Sequence, residues 1–312
     1  MALPTLRTVA VIGNGIIGHG VAQVFAAAGQ DVRLIGRSCE SLDRARANIG
    51  KSLGQFVAHG LQTAAGADAA LARIRTTTAI EEAAGAELVI EAVTEDLLLK
   101  HGIFETLDRL CPPTTVLGSS SGQPASALIA RVAHPERVIA THFWYPPQLI
   151  PLVEVCAGPK TDPAIVPWVC DAIRAAGKEP VVIDKEVPGF IGNRLQFALL
   201  REAWSLWASG AASAEAIDAV VRNSFGRRLA VTGPIESADV GGLDTMYHFA
   251  RFLQPDLDVA RDPPARIGTM VDQGLRGLPS GKGIYDWSAR DGGALVQARM
   301  DELFRWLKAP RS

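Results

Sequence analysis

The sequence predicts an α/β chain: a doubly wound sheet with an inserted helical hairpin over residues 1–184, then an all-α domain over residues 185–312. Three observations predict it. A β-rich run, Thr8–Ile12, leads straight into Gly13-Asn14-Gly15-Ile16-Ile17-Gly18, an Ala-rich helical pattern through Ala28 and a second β-run, Asp31–Ile35. Short apolar runs then recur as far as Pro180–Ile183, bounded by turn residues. From Phe190 onward the apolar residues recur at helical spacing instead. A chain of 312 residues is long enough for two cores.

Strand, glycine turn, helix and second strand form the dinucleotide-binding fingerprint of a Rossmann-type sheet. Gly13 permits the tight turn, Gly15 lets the backbone approach a pyrophosphate, and Gly18 lets the helix pack against the strand. Asn14, Ile16 and Ile17 complete the loop, and the helix N-terminus faces the phosphates. The second strand ends Gly36-Arg37-Ser38, without the acid that usually bonds the ribose of NAD. A guanidinium there can bind a 2′-phosphate bidentately, where a carboxylate would repel it. The cofactor is therefore read as NAD(P), with tolerance of NADP from Gly36-Arg37-Ser38. The competing reading is that Arg37 only stacks on the adenine.

Ser41–Val57 and Leu61–Arg73 read as two helices, the inserted hairpin. Glu87–Glu91 is a buried strand. Glu95-Asp96 opens a helix that carries Lys100 and runs to Leu110, and Thr115–Leu117 is a further strand. Gly118-Ser119-Ser120-Ser121-Gly122 follows, either a ligand-presenting loop at a strand end or a solvated turn. Arg137–Thr141 and Leu149–Val155 read as strands joined through Pro146-Pro147. Such a turn sets their ends side by side, with lone His142 on one and lone Glu154 on the other. An imidazole held by a carboxylate in apolar surroundings can move a proton to or from a substrate oxygen. The structural alternative is a buried histidine satisfied by a carbonyl and a glutamate facing solvent.

In the second domain Phe190, Phe197, Leu200, Trp204 and Trp207 share one helical face, read as core or subunit interface. Ser213–Asn223, Ser237–Leu253 after the break at Gly233-Pro234, and residues 291–307 supply further helices. A formal net charge of −2 offers no basic face for nucleic acid. Cys39, Cys111, Cys156 and Cys170 show no metal or disulfide spacing and read as buried small hydrophobes in a reducing compartment. No metal site is expected. The N-terminus runs into a strand without signal-peptide features, and no apolar run is long enough for a membrane. The expectation is a cytoplasmic protein without membrane partners.

Taken together, Gly13–Gly18, Glu91–Lys100, Ser119–Gly122, His142–Glu154, Val187–Arg194, Gly233-Pro234 and Ser280–Trp287 resemble the L-3-hydroxyacyl-CoA dehydrogenase superfamily. The branch most resembled is that of L-gulonate 3-dehydrogenase, also known as lambda-crystallin. The likeness covers nearly the whole chain. It implies His142 as catalytic base, Glu154 as the acid that orients it, Ser121 as the serine that bonds the substrate hydroxyl, and Asn193 as a partner of the reacting carbonyl. It places Glu95, Lys100 and Ser119 near the nicotinamide end of the cofactor. It also implies a homodimer through the helical domain.

Three departures stand out: Gly36 for the acid, Ser119 in Ser-Ser-Ser where the family usually has Asn-Thr-Ser, and Tyr145 where it usually has Asn before the prolines. The hairpin, lysine-rich in the acyl-CoA enzymes, has no Lys or Arg between Gln55 and Leu71. The expected activity is oxidation of a small L-3-hydroxy acid, L-gulonate or similar, to its 3-oxo form. A short-chain L-3-hydroxyacyl-CoA is the alternative substrate, and a non-catalytic, crystallin-like nucleotide-binding protein the alternative of another class.

Overall fold

The computed structural model describes residues 3–308; the outermost ends of the two predicted domains, residues 1–2 and 309–312, lie outside the described residues. The chain clusters into two compact units, Met1–Asn193 with Met300–Ser312, and Arg194–Arg299.

In the first unit the elements run β1 (Thr8–Ile12), α1 (Gly18–Ala27), β2 (Asp31–Ile35), α2 (Cys39–Ala58), α3 (Ala64–Ala72), β3 (Ile74–Thr77), β4 (Leu88–Glu91), α4 (Leu97–Leu110) and β5 (Val116–Ser119). Then follow α5 (Ala125–Leu128), β6 (Val138–Phe143), β7 (Leu152–Ala157), α6 (Ile165–Ala175) and β8 (Glu179–Ile183). The sheet order is β3-β2-β1-β4-β5-β6-β7-β8, parallel except where β6 meets β7. The doubly wound sheet and the hairpin of α2 and α3 are as the sequence predicts. The structure adds two elements to those read from the sequence: β3, whose Ile-Arg-Thr-Thr carries little apolar pattern, and α6, an amphipathic helix with Pro167 in its first turn. Pro180 lies in β8, the last strand, where a missing N–H can face outward.

Strand periodicity builds a core on each face. Val9 and Val11 of β1 pack with Val21 and Phe25 of α1, Leu42 and Ile49 of α2, and Val169 and Ile173 of α6. Ala10 and Ile12 point the other way, to Phe104 and Leu107 of α4 and to Leu128. Three cysteines are buried, and burial pushes the thiols of Cys111 and Cys156 up to about 11. Cys39 departs from expectation: it is exposed at the start of α2.

Helix α7 (Phe190–Ala208) begins in the first unit and continues into the second. There follow α8 (Ala214–Asn223), α9 (Pro234–Val240), α10 (Leu243–Leu253), α11 (Ala265–Asp272) and α12 (Gly292–Lys308). The helix expected over Ser237–Leu253 is broken in two at Gly241-Gly242, where Gly242 takes φ of +90°. The apolar face of α7 is not core beyond Phe190, and α8 to α11 bury no residue. The end of α12, from Met300, groups with the first unit. There Phe304 is buried, stacked on His59 at 4.0 Å and edge-on to Phe56.

One buried ion pair ties α4 to the start of β6. Arg137 is 1% exposed and donates to both the side chain and the carbonyl of Asp108, and to the carbonyls of Cys111 and Pro112. Burial raises the Asp108 carboxyl, but Arg137 and the backbone N–H groups of Ala133 and His134 outweigh that and hold it below its ordinary value. A lowered folded value means stability present above the ordinary carboxylate range and lost as pH falls through the folded value. Asp108→Asn, which strands Arg137, is expected to cost about 3 kcal/mol in urea unfolding at pH 7. The deficit should shrink as the wild type is taken below about pH 4.

Candidate active site

The glycine turn has the geometry its sequence implies. Gly13 has φ of +102°, and a Cβ there would lie 2.6 Å from the carbonyl oxygen of Ala92. A Cβ on Gly18 would meet the carbonyl oxygen of Gly13 at 1.8 Å. Gly15 has nothing within 4 Å of the same position. Its bareness therefore serves nothing inside the protein and fits the close approach of a phosphate. Ile16 is 62% exposed beside it, and Ile17 precedes the first turn of α1. His19 Nδ1 bonds the Gly15 carbonyl at 2.7 Å.

At the end of β2, a side chain on residue 36 would meet Asn14 Oδ1 and Leu42 Cδ2, each at 2.8 Å. The missing acid is thus built into the packing. Arg37 is exposed, with no ion pair among the described residues, while Ser38 caps α2 by accepting from Ser41 N–H at 3.3 Å.

Beyond β4 and β5 lies a chain of polar contacts. Lys100, 1% exposed, donates to Glu91 Oε1 at 2.8 Å and to the Val93 carbonyl. Ser119 donates to Glu91 Oε2 at 2.6 Å. The sequence resemblance sets Lys100 and Ser119 beside the cofactor; here both are buried and their polar atoms meet on Glu91. Ser121 Oγ donates to Glu95 Oε2 at 2.6 Å and accepts from Gln123 N–H at 3.0 Å. With its proton committed to Glu95, the Ser121 oxygen is left as an acceptor toward an alcohol.

His142 and Glu154 are direct register partners across the antiparallel pair of β6 and β7. His142 Nδ1 meets Glu154 Oε2 at 2.8 Å, and Nε2 makes no hydrogen bond among the described residues. Glu154 is 2% exposed and takes three more donors: Trp144 Nε1 at 3.1 Å on Oε2, and the backbone N–H groups of Ile191 and Gly192, each at 2.9 Å on Oε1. Burial raises its carboxyl, but His142, the Gly192 N–H and Trp144 outweigh this and hold it below the ordinary carboxylate value. Glu154 is therefore a carboxylate at neutral pH, an acceptor at which His142 Nδ1 directs its N–H.

Phe190 packs on the imidazole, ring centres 5.5 Å apart, with φ of +49°. A buried aromatic residue in that region stores strain of about 1–3 kcal/mol. Gly189 N–H donates to the Gly122 carbonyl, and a Cβ on Gly122 would lie 3.6 Å from Asn193 Nδ2. The start of α7 thus brings Asn193 to the serine loop and two N–H groups to Glu154. Tyr145 is 53% exposed in the turn after β6. Trp144 and Gly192 have no individual role in the sequence reading, and Phe190, read there as part of an apolar helical face, lies against the imidazole. Among the described residues no cluster of metal-binding side chains is found.

Residues 8–187 match the family described as 3-hydroxyacyl-CoA dehydrogenase, NAD binding domain, and residues 189–287 match its C-terminal domain. A 5-formyl-3-hydroxy-2-methylpyridine 4-carboxylate 5-dehydrogenase of Mesorhizobium japonicum is 35% identical over 300 residues, 96% of each chain. Lambda-crystallin of Oryctolagus cuniculus is 36% identical over 240 residues, 76% of this chain and 75% of that one. A crystal structure of the pyridine-carboxylate enzyme, described as an NAD+-dependent dismutase, matches with a TM-score of 0.89 at 33% identity, covering 97% of this chain and 98% of that one.

The openness around Gly15 yields a clean separation of folding from binding. Gly15→Ala is expected to leave the thermal midpoint unchanged, since the methyl meets no protein atom. NADH affinity, read by fluorescence titration, should fall by about tenfold or more, a loss of about 1.4 kcal/mol.

Proposed function

We propose that this chain, which belongs to the 3-hydroxyacyl-CoA dehydrogenase family and is an NAD-dependent oxidoreductase of a 3-hydroxy substrate, acts on a small free acid. The observation that carries this reading is the charge of the hairpin. No Lys or Arg occurs from Gln55 to Leu71. In α2, Arg44 is bound to Glu40 and Arg46 to the Ile74 carbonyl. Exposed Lys51 of α2 and Arg73 after α3 flank this stretch and are the cations left there for the phosphates of CoA, fewer than a site for several phosphate charges calls for. One relative matched along 96% of its length is named for a free carboxylate, which supports the same choice, while others matched along 99% are named for 3-hydroxybutyryl-CoA. L-gulonate or a similar polar 3-hydroxy acid is the first candidate. The thioester remains the second reading, because the family is described by hydroxyacyl-CoA.

Bound NAD supplies the hydride acceptor. His142 takes the hydroxyl proton on Nε2 while Glu154 holds Nδ1–H and stabilises the imidazolium. Ser121 accepts from the hydroxyl and Asn193 donates to the oxygen as it becomes a carbonyl. Reduction uses the same groups in reverse. Gly13 to Gly18 would cradle the pyrophosphate, and Lys100 and Ser119 would act through Glu91 at the nicotinamide end of the cofactor. Exposed Arg37, with no ion pair among the described residues, next to Gly36 gives tolerance of a 2′-phosphate.

The protein works as a homodimer in the reducing cytoplasm. Ile235 is 81% exposed and Phe252 73%, apolar side chains of the helical unit that a second copy of the chain would cover. The free cysteines suit a reducing compartment.

Initial rates on L-gulonate and on L-3-hydroxybutyryl-CoA, each with NAD+ and NADP+, test the reading in wild type, His142→Ala and Arg37→Ala. Turnover of the free acid is expected, lower in His142→Ala by about a hundredfold or more. Arg37→Ala should lower kcat/KM with NADP+ alone. Turnover of the thioester only overturns the free-acid reading. No turnover of either, with cofactor still bound, favours a binding role like that of a crystallin.

A further inference from the structure

Trp144 has no part in the proton transfer described above, yet it touches both members of the acid–base pair. Its Nε1–H donates to Glu154 Oε2 at 3.1 Å, the same oxygen that receives the His142 Nδ1 bond at 2.8 Å. Its ring meets the imidazole edge-on, with centroids 5.7 Å apart and planes at 64°. The chain makes room for it. A Cβ on Gly192 would lie 2.2 Å from Trp144 Cζ2, so a side chain there would displace the indole. The same Gly192 gives its N–H to the other carboxylate oxygen. Indole, carboxylate and backbone therefore lock as one unit around the acid.

We propose that Trp144 is a positioning residue for the acid–base pair: its indole N–H shares Glu154 Oε2 with His142 and limits how firmly the carboxylate holds the imidazole. The inference rests on the reading of His142 as base. An oxygen that accepts two bonds offers each donor less charge than it would offer one alone. In a site this buried the division counts, because water does not replace what is withdrawn. The imidazolium formed during oxidation is then held less tightly and returns its proton more readily in reduction. Without the indole N–H, all the charge on Oε2 would serve His142, and the base would stay protonated to higher pH.

The surroundings leave few other causes for such a shift. Of the groups bonded to Glu154, only His142 titrates. The start of α7 contributes two neutral backbone N–H groups, and Phe190 contributes an apolar ring. A merely space-filling Trp144 would predict that a phenyl ring serves as well.

The test is the pH profile of kcat/KM for alcohol oxidation in wild type and Trp144→Phe, with the thermal midpoint and the NADH dissociation constant measured alongside. The acid limb is expected to move upward by about half a pH unit. NADH affinity should stay within about twofold, since the indole is assigned no cofactor contact. An acid limb at the wild-type position overturns the proposal. Should Trp144→Phe not fold, 3-benzothienylalanine introduced at position 144 keeps the bicyclic shape and removes only the N–H. The same upward move is expected, and an unmoved limb again overturns the proposal. His142→Ala separates the two levels. If it is inactive and the limb has not moved, the inference about Trp144 fails alone. If it is as active as wild type, the reading of His142 fails, and the inference with it.

Discussion

The Glu154 carboxylate is the point on which the site depends. It is taken out of water and given four donors, two on each oxygen. A buried carboxylate without partners would be costly to ionise. With four it stays charged and rigid, and its charge is aimed along the Nδ1 bond to His142. The donors come from three places: β6, the turn that follows it, and the start of α7. Holding one acid therefore fixes the strand pair and the entry of α7 together. The strained φ of Phe190 lies where those constraints converge, consistent with strain held by surrounding order.

The single antiparallel pairing in the sheet explains how the pair arises. In β6 and β7 the residues opposite one another face the same side, so His142 and Glu154 meet by register alone. The parallel strands before them do a different task. Their C-terminal ends carry the glycine turn after β1, the Glu91 cluster after β4 and the serine loop after β5, which is where such sheets bind nucleotides. The glycine turn and the His142–Glu154 pair are thus placed by one sheet, after β1 and on β6 and β7.

Much of this was legible in the sequence because its causes are local. Glycines at fixed spacing after a strand have few other uses, and a lone His and Glu on two strands joined by a proline turn can meet in only a few registers. The parts that were hidden depend on distant backbone. Ile191 and Gly192 act through N–H groups, which leave no side-chain mark, and they reach Glu154 from 37 and 38 residues away. The requirement for Gly192 is visible only once Trp144 is in place. Lys100 and Ser119 were readable as polar residues near the site, but their meeting on Glu91 needs β4 and β5 side by side. The break at Gly241-Gly242 was missed because the apolar spacing continues across it. The return of α12 rests on Phe304, Phe56 and His59, whose pairing no local pattern announces.

The central claim is that Glu154 works through His142 in the chemical step and not in holding the cofactor. Glu154→Gln keeps the size and one acceptor oxygen while removing the charge. Single-turnover formation of NADH from the hydroxy acid, followed by stopped flow at neutral pH, measures its effect on that step directly. The account predicts a rate lower by about a hundredfold or more, with NADH bound as tightly as by wild type. A rate within about twofold of wild type would contradict it, since acid–base catalysis by an oriented pair contributes far more than that.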